Sequence, residues 1–134
     1  MKHLQIGAFW VFFGAVFGAL AVLFGAFGAH ALSGALDQKM LSVFQTGAHY
    51  HLIHAVALVF VGIWCVRLGL GSRGAPYARA SGWAFLVGLV LFSGSLYLLA
   101  ITGIRAFGAV TPVGGLSFLL GWVLLAVSAL FPVS

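Results

Sequence analysis

Acidic side chains are almost missing from this chain: 134 residues carry one, Asp37, against six lysines and arginines. With a single carboxylate, neither a carboxylate acid/base pair nor a carboxylate proton wire can be assembled. Cysteine is equally scarce, and Cys65 alone offers no intramolecular disulfide and no thiolate cluster. Charged residues make up 5% of the chain, where soluble domains carry roughly 25%. No ordinary water-facing surface can be built from so few, which excludes a soluble globular protein. Four membrane spans of about 20 residues would take about 80 of the residues, so no room remains for a nucleotide-binding module or a soluble catalytic domain.

What is there is apolar: 63% of the residues, in long runs. From Ile6 to Ala29 the chain is uncharged and long enough to cross a hydrocarbon layer of roughly 30 Å. A signal peptide is the competing reading, since Ala29-His30-Ala31 has a small-x-small pattern, but an apolar region of about 7 to 15 residues would be expected there. The second span is expected at 48–66, ended by Arg67 and the Gly69, Gly71, Gly74, Pro76 run. The third is expected at 80–102. The fourth opens at Thr111-Pro112, an N-cap followed by proline at the first helical position, and covers 112–131. In the first loop, Leu32, Leu36, Met40, Val43 and Phe44 recur at helical spacing, which predicts a short amphipathic interfacial helix over 32–46. The fold expected is one all-α domain, residues 1–134, a compact bundle of four transmembrane helices with that short helix as a lid.

Basic residues favour the cytoplasmic side of an inner membrane. Lys2, Arg67, Arg73 and Arg79 would share one side, Lys39, Arg105 and Asp37 the other, so both termini are expected in the cytoplasm. The net charge of +5 is thereby a topology signal and no nucleic-acid surface, because the cations are spread over a membrane-hugging loop. Trp10, Trp64, Tyr77 and Trp83 fall near that boundary, as belt residues do. Trp122 falls mid-span beside Gly121 and reads as packing.

Small residues repeat at heptad spacing in every span. The series are Gly7, Gly14, Gly18, Ala21, Gly25 and Gly28; Ala48, Ala55, Gly62 and Gly69; Ser81, Ala84, Gly88 and Ser95; and Gly114, Ser117, Gly121 and Ser128. Lipid gives helices no hydrophobic reason to associate, so such seams predict close, left-handed packing without a wide aqueous pore.

Ionisable groups within a membrane are expensive, and here they cluster. His30 ends the first span; His49, Tyr50, His51 and His54 open the second, all placed near the outer boundary. By helical angle His51 lies about 40° from the Ala48, Ala55 seam and His54 about 100°, so His51 is expected to face the bundle and His54 its edge. His51 and His54 stand at i, i+3, where they could share a metal with His30 or ligate a haem iron. Against that, no Cys, Asp or Glu stands at ligand spacing. Neutral histidines that hydrogen-bond between helices are the reading preferred, with no metal and no cofactor assigned. The polar cluster comprises His30, Gln45, Tyr50, His51, His54, Tyr97 and Arg105, with His30 and His54 expected close together. Ser93 and Ser95 sit in a small-residue step that serves packing more often than nucleophilic attack, so no catalytic residue is named.

Gly28-Ala29-His30, Tyr50-His51-x-x-His54-Ala55-x-Ala57-Leu58, Ser93-Gly94-Ser95-Leu96-Tyr97, Thr111-Pro112-x-Gly114-Gly115 and Gly121-Trp122, in this order, resemble the YgdD-like family. These are small inner-membrane proteins, and their relatives include small mitochondrial membrane proteins of animals. The resemblance implies a four-helix membrane fold. It also implies that His30, His54, Tyr97 and Pro112 match family motifs while His49 does not, and that glutamine often replaces histidine at position 51, which suits hydrogen bonding better than metal ligation. The expected role is a multi-pass inner-membrane protein without catalysis, with the lipid bilayer as its surroundings, that self-associates or joins a larger membrane complex. The alternative is a transporter component or ligand-binding protein using the histidine cluster.

Overall fold

The structure, a computed structural model, describes residues 1–131, the His3 side chain excepted. Helix α1 covers Lys2–Phe27 and runs on through a wide π turn, Gly28–Leu32; α2 covers Gln38–Leu68, α3 Ala75–Gly88, α4 Gly94–Thr102 and α5 Ala106–Ser128. A second π turn, Leu89–Ser93, joins α3 to α4 without a break, so the two form one span. Among the described residues four helices are long and apolar enough to cross a membrane, Leu4–Leu32, Gln38–Leu68, Ala75–Thr102 and Ala106–Ser128, of 29, 31, 28 and 23 residues. The protein is an all-α, four-helix membrane protein.

The boundaries differ from the sequence expectation in instructive ways. No separate helix forms over 32–46: the chain turns at Ser33–Leu36, Asp37 accepts the Met40 N–H (2.8 Å), and from Gln38 the amphipathic segment is the opening of α2. Gly47 does not interrupt it, because the missing side chain is where the Tyr97 ring and Leu96 pack. Helix α3 begins at Ala75 rather than 80, since proline in a first helical turn lacks only an N–H that would be orphaned anyway. Pro76 therefore opens the helix instead of ending a loop, and Arg79 belongs to α3. Helix α5 begins at Ala106, so Pro112 is an interior proline and not its first residue. The amide it cannot offer is the one owed to Gly108, and the adjacent Thr111 is tied to α4 through Ser95, 2.7 Å between hydroxyl oxygens. Gly69 and Gly103, at φ 71° and 70°, close α2 and α4 in a conformation L side chains rarely adopt. Gly69 is thus a helix stop rather than the last member of its seam.

Helix α2 is central: α1 packs along it, and α3, α4 and α5 cover its other flank, α5 lying chiefly against α3. The small-residue seams meet as expected. A methyl group on Gly62 would stand 2.6 Å from the Gly7 carbonyl oxygen, and one on Gly14 would stand 2.7 Å from the Val59 amide nitrogen. On the other flank Gly88 lies under the Phe118 ring, Gly121 under Phe85, and Gly114 against the Phe92 backbone. The main core gathers Trp10, Leu58, Val61, Leu68, Ala78, Phe85, Leu89 and Phe118. A smaller one of Leu32, Leu41, Phe44, Tyr97 and Ala100 closes the end where α1 turns into α2. Trp10 is a core residue, not a belt residue: it is 2% exposed, its ring filling the space left by Gly82.

Candidate functional site

Because α2 starts ten residues earlier than expected, His51 and His54 lie roughly 20 and 24 Å into it at 1.5 Å per residue. They sit nearer the middle of the bundle than the end at which α2 begins. Both are buried, 4% exposed, and they face different neighbours.

His54 does not sit at an edge, because α5 covers it. Phe118 stacks on its ring at 3.6 Å between centroids, 9° from parallel, and Phe85 closes the side at 5.6 Å. Its Nδ1 is 2.8 Å from the Tyr50 carbonyl oxygen, and Trp122 Nε1–H donates to its Nε2 at 3.1 Å. A carbonyl accepts and an indole N–H donates, so this pair of partners requires the neutral tautomer with the proton on Nδ1. The ring has no spare position. Tyr50 is half-exposed and contributes its carbonyl and a face that lies near-parallel to the imidazole.

His51 points toward α1 and α4. Its Nδ1 and the Tyr97 hydroxyl oxygen are 2.9 Å apart, and the Phe17 and Phe24 rings of α1 border it at 5.8 and 6.1 Å. Its Nε2 is buried and makes no hydrogen bond, with the Phe17 backbone beside the ring. The two imidazoles are therefore separate fixtures. Each spends its Nδ1 on a different group, and among the described residues no three His, Cys, Asp or Glu side chains gather where one ion could be held.

The remaining members of the predicted cluster are scattered. His30 lies exposed in the first π turn and touches neither buried histidine; Gln45 and His49 are exposed on α2. Arg105 is exposed at the start of α5 and shares with Lys39, Met40, Val43, Leu99 and Gly103 a recess of about 460 Å³ at the bundle end. The structure thus joins His51 to Tyr97 and Tyr50 to His54, and leaves His30, Gln45 and Arg105 outside both. Sequence reasoning missed Trp122 as a polar partner. The signal was available, since a mid-span indole N–H needs an acceptor and few side chains there offer one.

Other polar atoms continue the pattern between helices. Ser93 Oγ–H donates to the Gly47 carbonyl (2.8 Å), Ser117 Oγ–H to the Ala84 carbonyl (2.7 Å), and Trp64 Nε1–H to Ser128 Oγ (2.9 Å). The second π turn ends at Ser93 and contains the Phe92 backbone that meets Gly114, so the widened turn sits where α5 approaches closest. The buried hydroxyls and ring nitrogens are mostly spent on backbone carbonyls and on one another, an arrangement suited to fixing helix register and depth.

Residues 24–115 match the family described as "Protein of unknown function (DUF423)". Over 120 residues the chain is 43% identical to the UPF0382 membrane protein YwdK of Bacillus subtilis, covering 89% of this chain and 94% of that one. The chain belongs to this family. It is also 42% identical over 118 residues to the UPF0382 membrane protein SH2409 of Staphylococcus haemolyticus, covering 88% and 92% of the two chains. With the UPF0382 inner membrane protein YgdD of Escherichia coli K12 it shares 40% identity over 128 residues, 91% of this chain and 89% of the relative. No solved structure matches the chain. The resemblance drawn from the motifs is thereby shown, and the histidines, Tyr97 and Trp122 described above belong to a family of membrane proteins.

Proposed function

We propose that this protein is a non-enzymatic inner-membrane component that associates with a second copy of itself, or stands as an accessory subunit in a larger membrane complex. One observation carries the reading. Besides the seam that α1 buries against α2, Ala8, Ala15, Ala19 and Ala26 line a second face of α1, about 100° round the helix, and all four are exposed. Lipid-facing positions have no need of small side chains, whereas helix–helix contacts do. The polar interior supports the same reading, because its hydrogen bonds hold the bundle together and leave no paired acid and base.

Measurement of particle mass in several mild detergents tests it. Dimers or larger particles are expected, and Ala15→Leu with Ala19→Leu should return them to monomers without unfolding them. A strict monomer that brings down no partner in any detergent would sink the association reading. The cation count of four against two supports an orientation with both termini cytoplasmic. Reporter fusions at Gly71 and at Ser134, which lies outside the described residues, should read cytoplasmic, and one at Lys39 external.

The unpartnered Nε2 of His51 favours a second reading, in which that nitrogen meets a small ligand, metal or haem. A visible spectrum and elemental analysis of the purified protein test it, and colourless, metal-free protein removes the cofactor branch.

A further inference from the structure

At the end of the bundle opposite Asp37, the start of α1 and the start of α3 leave a recess of about 540 Å³ between them, lined by Lys2, Gln5, Ile6, Phe9, Trp10, Arg79 and Trp83. Its composition is unlike the lipid-facing surface around it. Two cations and an amide stand over an aromatic floor in which Phe9, Trp10 and Trp83 contact one another, with centroids 4.9, 5.2 and 5.8 Å apart. Trp10, 98% buried, carries an indole N–H with no hydrogen-bond partner.

Among the described residues the cations have no counter-charge beside them. Arg79 is half-buried and its charge reaches Cys65 of α2. The one acid in the chain caps the other end of that helix, 28 residues away, or roughly 40 Å at 1.5 Å per residue. Among the described residues no carboxylate lies at this end of the bundle. A guanidinium held partly out of water therefore looks to an anion from outside, and the apolar floor selects an anion that carries hydrocarbon with it.

We propose that this recess binds an anionic phospholipid, its phosphate between Lys2 and Arg79 and an acyl chain along Phe9 and Trp83. Gln5 supplies a neutral donor to the same headgroup. Each cation near an anionic lipid surface strengthens association by about fivefold, so the pair should separate an anionic from a zwitterionic lipid by at least an order of magnitude. Added salt should narrow that difference.

Native mass spectrometry of the full chain in mild detergent tests this, with phosphatidylglycerol or phosphatidylcholine of matched acyl chains added. Phosphatidylglycerol should be retained at least tenfold better. Arg79→Gln and Lys2→Gln should each lower that retention about fivefold, while Arg73→Gln, in the neighbouring loop and outside the recess, should leave it unchanged. Equal retention of the two lipids by the unaltered chain overturns the proposal, as does an equal loss in Arg73→Gln and Arg79→Gln. Displacement of the lipid by millimolar inorganic phosphate overturns it too, marking a site for the free anion. Should Arg79→Gln fail to fold, Lys2→Gln, at the exposed start of α1, decides the question. Lipid adducts are counted on the monomer peak, so their failure is distinguishable from failure of self-association.

Discussion

Helix α1 and helix α5 flank the same central region and use small residues in different ways. In the first half of α1 two glycines meet backbone as well as valine side chains: Gly7 faces the Gly62 carbonyl, and Gly14 faces the Val59 amide and the Ala55 carbonyl. Among the described side chains, none of α1's makes a hydrogen bond to α2. Around α5, Gly114 also meets backbone, but Gly88 and Gly121 receive the Phe118 and Phe85 rings, and Trp122, Ser117, Thr111 and Ser128 add hydrogen bonds to α2, α3 and α4. Backbone contact gives closeness without tolerance, because carbonyl and amide positions cannot rotate away. Rings and hydroxyls give a fixed register and some tolerance. The first contact should be brittle and the second forgiving.

The largest effect separates them directly. Gly62→Val places a branched side chain against the Gly7 carbonyl and the Val11 amide, and only displacement of α1 relieves it. A loss of about 3 kcal/mol is expected, the upper range for overpacking. Gly121→Ala presses on the Phe85 ring, which can tilt, and should cost about 1 kcal/mol. Unfolding in mixed detergent with increasing sodium dodecyl sulfate measures both, and equal losses would break the distinction.

Next comes the bond between His54 and Trp122. His54→Leu leaves the indole N–H unpaired in the bundle and should cost about 1 to 2 kcal/mol, whereas His54→Gln, whose amide oxygen can accept, should keep much of that. Trp122→Phe removes the donor. In a double-mutant cycle the His54→Leu and Trp122→Phe losses should add to less than their sum, and full additivity would show that the 3.1 Å contact carries no coupling.

These residues also mark what was legible beforehand. The four spans and their seams could be read because hydrophobic length and heptad spacing are local properties, and lipid makes both obligatory. The ends of the helices could not. Pro76 and Pro112 were read as a loop breaker and a helix start, but a proline's role depends on whether a helical turn precedes it, and α3 begins just before Pro76 while α5 begins six residues before Pro112. The histidines were singled out by cost alone, and of them His51 and His54 are buried. Their division between α1/α4 and α5 was not visible, since one helix's angles say which way a side chain points and not which helix stands there. His30 shares the residue type and the sequence neighbourhood but lies outside the packed region, which no spacing rule reports.

Smaller again is the single hydroxyl. Ser117→Ala removes the donor to the Ala84 carbonyl while keeping a small residue at the α3–α5 contact. The expected loss is about 0.6 kcal/mol, the average for hydrogen bonds between membrane helices. A loss near 2 kcal/mol in the same unfolding assay would mean that polar atoms, rather than the rings over Gly88 and Gly121, dominate the hold on α5.

The smallest effect, at Gly25, tests whether the brittleness of α1 belongs to the contact or to the helix. Gly14 and Gly25 stand on the same seam, eleven residues apart, and one substitution asks both. At Gly14 a methyl group would meet the Val59 amide and the Ala55 carbonyl; at Gly25 nothing lies within 4 Å. Alanine is favoured over glycine inside a helix by up to about 1 kcal/mol, so with no clash to oppose it Gly25→Ala should be neutral or slightly stabilising. Gly14→Ala should be destabilising, because the same gain is outweighed by two backbone collisions. Opposite signs locate the constraint in the α1–α2 contact alone. A loss at Gly25 as large as at Gly14 in the monomeric protein would mean that a partner absent from the isolated bundle is not needed to explain that glycine, and that α1 is intolerant along its whole length.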